Sequence, residues 1–390
     1  MKNKYIAKRH WIEEESAMGA VNAKAKQYND VINLSLGDPD LLTDKGVIEQ
    51  AFQDTLAGHT KYTEFRGDPE LRAEICKFYK NEYDMDVDDE EIIITAAGTI
   101  AMYLVMETIL DPGDEVILQA PYFTPYPNQV KLAGGVPVEL PTYEEEDFQI
   151  NMERMESLIT DRTKALVINT PSNPSGSCLS VETMQQIAEI AEKYDLLVVC
   201  DDIYTAFSYQ NPFVPFASLP GMRKRSLVIN TVSKNFTMTG WRVGNIIAPK
   251  EFIKVMADIN MGVAFTVSAP GQRAALAAYR TYKDFQPAMV AEYKKRVFYA
   301  AERINALSNM HVLYPPKGAF YLFINIKDTG LTSAEVAERI LDEAHVLTLP
   351  GNAFGNCGEG FLRISCTCGC EELGEAFDRI GKMDFFNPNK

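Results

Sequence analysis

The 390 residues predict an α/β protein, with a large domain built on a doubly wound, mainly parallel sheet and a smaller α+β domain attached to it. Three observations carry that expectation. Between residues 91 and 247, short apolar runs rich in Val and Ile alternate with longer segments of helical pattern, which is how βαβ units covered on both faces read. Beyond residue 307 strands and helices mix without that regularity, as in a separate α+β layer. No internal repeat, low-complexity tract or Gly/Ser linker breaks the chain.

In chain order, Glu13 to Tyr28 reads as a helix rich in Ala and Lys, and Val31 to Leu36 as a strand ended by the turn cluster Gly37-Asp38-Pro39-Asp40. Gly46 to His59 reads as a helix. The loop Tyr62 to Gly67 then precedes a helix opened by Asp68-Pro69-Glu70, with Asp as N-cap and Pro at the first helical position. Strand Glu91 to Thr95, helix Gly98 to Leu110 and strand Glu115 to Gln119 follow. Next come helix Gln129 to Ala133, strand Val136 to Leu140, helix Met152 to Ile159 and strand Lys164 to Asn169. Helix Val181 to Tyr194, strand Leu196 to Cys200, strand Ser226 to Asn230 and a strand through Ile247 complete the regular part. Helices are expected near Glu251 to Met261, Pro270 to Thr281 and Asp284 to Leu307, the last connecting the domains. Strands Val312 to Tyr314 and Ala319 to Ile326, helix Ser333 to Glu343, strands Val346 to Leu349 and Phe361 to Ser365, and a helix from Glu371 close the chain.

The balance of 38 basic and 54 acidic residues, a formal charge of -16, argues against nucleic acid or an anionic membrane as partner. Met1 to Arg9 is polar and no apolar run reaches a membrane span, so a soluble, cytoplasmic protein is expected. Seven cysteines, an odd number, read as reduced thiols. Cys366, Cys368 and Cys370 lack zinc-knuckle spacing, and Asp84, Asp86 and Asp88 are followed by Asp89 where a calcium loop needs Gly, so no metal is expected.

The chemistry gathers at expected strand ends, where ligands bind in such sheets. Thr231 and Ser233 bring hydroxyls, Lys234 an amine and Arg242 a guanidinium just after a buried strand, a set suited to an anion beside a nucleophilic amine. Gly98 and Thr99 sit where small residues let a phosphate approach a helix N-terminus, although the dinucleotide fingerprint is missing. Asp201 suits a ring nitrogen that must stay protonated, and Asn173 and Tyr204 suit a ring oxygen. Each of these residues alone is an ordinary cap or turn residue; together they fit pyridoxal phosphate, whose protein signature is a Schiff-base Lys and an Asp partner.

With these motifs the chain resembles the class I and II aminotransferases of the fold-type I pyridoxal phosphate enzymes, in particular their bacterial aspartate and aromatic branch. The likeness runs from Leu36-Gly37 to Arg363. It is carried by Ser-Asn-Pro-Ser-Gly at 172 to 176, Asp-Asp-Ile-Tyr at 201 to 204, Ser-Lys-Asn-Phe at 233 to 236, Gly-Trp-Arg-Val-Gly at 240 to 244 and Pro-Gly-Asn-Ala-Phe-Gly at 350 to 355. It implies a seven-stranded sheet in a large cofactor-binding domain at 46–285, and a discontinuous small domain at 1–45 and 286–390. The implied activity moves an amino group from an L-amino acid to a 2-oxo acid, by a ping-pong route through pyridoxamine phosphate. Lys234 would form the internal aldimine and shuttle the proton, with Asp201 and Tyr204 as the other catalytic groups. Phe123 would stack on the ring, and Arg363 would grip the substrate α-carboxylate with Asn173 and the Gly37 backbone. Tyr62 would reach the phosphate of a neighbouring subunit, implying a homodimer with shared sites.

A C–S β-lyase on the same fold is the alternative, because fold does not set function. A cofactor-sensing regulatory domain is a further rival, disfavoured by the acidic charge and by the lack of a DNA-binding module before residue 30. One aspartate-specific bacterial branch carries lysine at the position of Thr99, a departure that weakens the case for aspartate as substrate. Tyr122, Phe123 and Tyr126 suit either a larger apolar side chain or plain packing, and Arg9, His10 and Trp11 suit either a cover over the site or the surface.

Overall fold

The computed structural model describes residues 3–7, 19 and 23–387. Most of the helix expected over Glu13 to Tyr28, and the Arg9, His10 and Trp11 segment, lie outside the described residues. Among them the centre is a seven-stranded sheet of β2 (Ile92–Thr95), β3 (Glu115–Ala120), β4 (Val136–Pro141), β5 (Thr163–Asn169), β6 (Leu197–Asp201), β7 (Ser226–Thr231) and β8 (Gly244–Ile247). Its order is β2-β8-β7-β6-β5-β3-β4, and only β8 runs antiparallel to its neighbours. Each central strand is apolar on both faces. Ile117, Leu166, Ile168, Val198 and Val228 point into one core, while Val116, Leu118, Val167, Val199 and Leu227 point into the other. A continuous apolar run, rather than an alternating one, is what two helical layers require.

Helices α1 (Lys45–Leu56), α2 (Pro69–Tyr83), α3 (Ala97–Ile109), α4 (Tyr126–Leu132), α5 (Met152–Ser157), α6 (Val181–Lys193), α7 (Val232–Asn235) and α8 (Lys250–Val263) accompany the sheet. Asp68 caps α2 as its sequence predicts, accepting from the Glu70 N–H at 2.9 Å. Helix α4 begins three residues before the expected start, because Pro125 and Pro127 fall at the N-cap and in the first helical turn, where a missing N–H costs nothing.

The two helices expected at 270–281 and 284–307 are one, α9 (Ala269–Asn305), of 37 residues. Pro287 deletes one backbone hydrogen bond inside it. Burial on both sides carries the helix through: Ala274 to Tyr282 pack into the sheet core, and Met289, Tyr293, Val297 and Ile304 into a second core. That second core also packs β9 (Tyr321–Asn325), α10 (Ser333–Ala344) and α11 (Cys370–Ile380). The run Val346 to Leu349 divides in two. Strand β10 (Val346–Leu347) pairs with β1 (Ile32–Asn33), which is all that forms of the expected strand Val31 to Leu36. Strand β11 (Leu349–Pro350) pairs with β12 (Phe361–Ser365) instead. Val312 to Tyr314 is not a strand: only His311 bridges to Asn325, and Pro315 and Pro316 have no N–H to extend a ladder. Among the described residues no helix is long and apolar enough to cross a membrane.

Candidate active site

Strand register brings the functional residues to one edge. Asn169 on β5 stands opposite Asp201 on β6, Asp201 opposite Ile229 on β7, and Thr231 opposite Gly244 on β8, which also faces Thr95 on β2. Gly244 is required there by contact. A Cβ on it would lie 2.9 Å from the Ala97 carbonyl carbon and 3.0 Å from the Gly98 nitrogen, pushing the start of α3 away from the strand ends. Ala97 holds a left-handed φ of 71°, a strained turn of the kind found at ligand sites. The result is a cleft of about 490 Å³ between these strand ends and the β9–β12 sheet.

Lys234 rides on the one-turn helix α7, which Thr231 caps by accepting from the Ser233 N–H at 3.1 Å. Its Nζ donates to the Gly37 carbonyl at 2.6 Å. Burial lowers its pKa to about 8, the Arg363 and Arg242 charges pull the same way, and Asp38 opposes them. Gly37 comes this close because it has no side chain; a Cβ would sit 2.0 Å from the Tyr321 hydroxyl. Thr231 Oγ1 donates to the Val243 carbonyl at 2.7 Å and lies 2.9 Å from Ser233 Oγ. Arg242, at a left-handed φ of 56°, donates to the Thr239 carbonyl at 2.8 Å.

Asp201 is buried, and burial raises its carboxyl pKa to about 6 against the pull of the Tyr126 hydroxyl and the Ile203 N–H. Tyr126 donates to Oδ2, while Oδ1 has no hydrogen-bond partner among the described residues. Asn169 ties this region together, donating to the Asp201 carbonyl at 2.8 Å and accepting from the Asn173 N–H at 2.7 Å. Arg363, on β12, is also buried, which lowers its pKa. It donates to Asn173 Oδ1 at 3.2 Å and to the Ser35 carbonyl, and its plane lies 4.8 Å from the Tyr321 ring and 5.1 Å from the Phe354 ring. The Tyr204 and Tyr321 hydroxyls share a hydrogen bond of 3.0 Å.

The cleft thus gathers Gly37, Gly98, Thr99, Phe123, Asn173, Asp201, Tyr204, Thr231, Ser233, Lys234, Arg242 and Arg363. Tyr62 is elsewhere: it is 82% exposed, edge-on to Phe265 with ring centroids 5.0 Å apart. Tyr321, Asn169 and Asp38 also line the cleft without a role expected from the sequence, and Tyr126, expected to admit a larger apolar side chain or to pack, lines it too. Asn169 and Tyr126 carried a signal, as a polar strand end and as an aromatic three residues after Phe123; Tyr321 carried none, since it enters from the other sheet.

A doubly wound sheet with a desolvated amine at its carboxyl edge, flanked by the buried Arg363 and the exposed Arg242, has the charge to hold small anions. The family model for aminotransferase class I and II matches residues 29–380. The chain is 40% identical over 363 residues to an aspartate aminotransferase of Pyrococcus abyssi, covering 92% of this chain and 93% of that protein. It is 38% identical over 363 residues to aromatic-amino-acid aminotransferase 2 of Thermococcus litoralis, with 92% and 93% covered. A single mutant of Thermus thermophilus aspartate aminotransferase superimposes with a TM-score of 0.91 at 34% identity, over 98% of this chain and all 100% of that one. The chain belongs to the class I and II aminotransferase family and is an aminotransferase.

Proposed function

We propose that this protein moves an amino group from an L-amino acid to a 2-oxo acid in two half-reactions, with pyridoxal 5′-phosphate as cofactor. The observation that carries the proposal is Asp201 Oδ1, a buried acceptor without a partner among the described residues in the wall of a cleft that also holds a desolvated amine. Leaving such an acceptor unpaired costs about 1–3 kcal/mol, so a donor belongs there, and a protonated ring nitrogen fits. When bound, the cofactor supplies an electron sink for the Cα carbanion and a carrier for the amino group.

The chain's residues divide the remaining work. Thr231, Ser233, Arg242, Gly98 and Thr99 would hold the phosphate, Phe123 would pack against the ring, and Asn173 and Tyr204 would bind the ring oxygen, all of them lining the cleft. Lys234 would hold the cofactor through its aldehyde and, as a free amine, would supply the base for the Cα proton. Arg363 binds the α-carboxylate with Asn173 and the Gly37 backbone. Two parallel hydrogen bonds from a planar guanidinium set the direction of the Cα–H bond as well as holding the anion. Tyr62, exposed on its own chain, completes the phosphate site of a second copy in a homodimer.

The test is a panel of amino donors, aspartate and phenylalanine among them, mixed singly with the loaded enzyme while its absorption is followed. A donor-dependent spectral change reversed by a 2-oxo acid, and parallel double-reciprocal plots, are expected. Ammonia and an oxo acid released without any acceptor would overturn the proposal in favour of elimination. Arg363→Lys should raise KM for the amino donor about 10- to 100-fold, the loss of one charged hydrogen bond worth roughly 1.5–3 kcal/mol, with cofactor affinity unchanged.

Capture of the cofactor by the apoprotein should depend on pH through Lys234. The neutral amine is the nucleophile and its pKa is about 8. The second-order rate should therefore rise about tenfold per pH unit below 8 and level off above it, and stopped-flow absorbance between pH 6 and 9.5 measures this.

A further inference from the structure

Helix α4 meets the cleft with residues one turn apart. Phe123, just before it, lies edge-on to Tyr126 with ring centroids 5.7 Å apart, and Gln129 Nε2 donates to the Thr99 carbonyl at 2.9 Å. Between them the Tyr126 hydroxyl, on a ring 3% exposed, donates to Asp201 Oδ2. The carboxylate is thereby divided into one occupied oxygen and one buried oxygen, Oδ1, with no partner among the described residues. A carboxyl group turns easily about its last bond, so a bond to one oxygen sets the direction of the other.

We propose that Tyr126 is a positioning residue for the cofactor: its hydroxyl locks the Asp201 carboxylate so that Oδ1 alone, ionised, faces the protonated ring nitrogen. The inference rests on the pyridoxal phosphate assignment above. The other titratable groups within reach of Asp201 are Cys200, Asp202 and Tyr204, each pushed upward in part by its charge, and none supplies a cation. The hydrogen bond from Tyr126 is the side-chain contact that opposes the burial of this carboxylate.

The experiment titrates wild-type and Tyr126→Phe apoprotein with pyridoxal phosphate and with its analogue carrying C–H in place of the ring nitrogen. Tyr126→Phe should bind pyridoxal phosphate about tenfold more weakly, about 1.4 kcal/mol, and the analogue with unchanged affinity. In an Asp201→Asn background the same change should cost nothing further, because the acceptor it orients is gone. Tyr126→His, which keeps an N–H donor, should regain the preference for pyridoxal phosphate, and it serves as the test if the Phe variant does not fold. Equal losses with both ligands, or no loss with either, would overturn the proposal. Failure of the wild-type protein to bind pyridoxal phosphate would instead sink the cofactor assignment, and this inference with it.

Discussion

Lys234→Ala is expected to abolish turnover, by at least about 10⁴-fold, and to remove the absorption that distinguishes the loaded wild-type protein. Under the proposed roles two separable contributions would vanish together: the nucleophilic anchor, and the general base worth typically 10²–10⁴-fold by itself. The fold should survive, because the side chain makes one hydrogen bond, to the Gly37 carbonyl, and that carbonyl belongs to a segment held elsewhere. Thr367 Oγ1 donates to the Leu36 carbonyl at 3.2 Å, Thr239 Oγ1 to Asp38 at 2.7 Å, and Arg296 and the Tyr293 hydroxyl to Asp40 at 2.6 and 3.1 Å. Circular dichroism and thermal melting should thus match the wild type while activity is lost. Small added amines should restore part of the proton transfer, which the initial rate of turnover measures. A variant with normal transamination would remove Lys234 from the mechanism.

Much of the large sheet was legible because its strands are buried on both faces, and runs such as Leu-Leu-Val-Val-Cys at 196–200 or Ser-Leu-Val-Ile-Asn at 226–230 admit few other interpretations. Strand ends then located Asn169, Asp201 and Thr231 without any contact being known. What escaped depends on neighbours distant in the chain. Nothing near Val31 to Leu36 says that pairing stops after Asn33, where the chain leaves β10 to cross the cleft and offer the Ser35 and Gly37 carbonyls to Arg363 and Lys234. Nothing near residue 283 says that α9 continues, since that follows from two cores lying along one helix. Tyr321 is bonded to Tyr204 and stacked on Arg363, yet in sequence it is one more aromatic in an apolar strand. Asp201 and Asp202 are told apart by the end of β6: Asp201 is its last residue and lines the cleft, and Asp202 follows it and does not.

That division yields the second large effect. Asp201→Ala should still bind the cofactor, through the phosphate contacts and Lys234, and should lose turnover by roughly 10³-fold. Removing one preorganised group aimed at developing charge typically costs 10²–10³-fold, and under the proposed assignment the group would also keep the ring nitrogen protonated. Asp202→Asn is the control. Asp202 is buried, and burial followed by the Asp201 charge pushes its pKa well above the usual carboxylate range; an amide of the same shape leaves no cavity and no buried charge in its place. It does not line the cleft. Asp202→Asn should therefore keep activity within about threefold and bind the cofactor normally, consistent with small effects for substitutions that create no cavity and no buried charge. Damage to the end of β6 would depress both variants alike, whereas loss of the ring-nitrogen partner depresses only the first. Asp201→Ala turning over at the wild-type rate would remove the electron-sink account, whatever Asp202→Asn does.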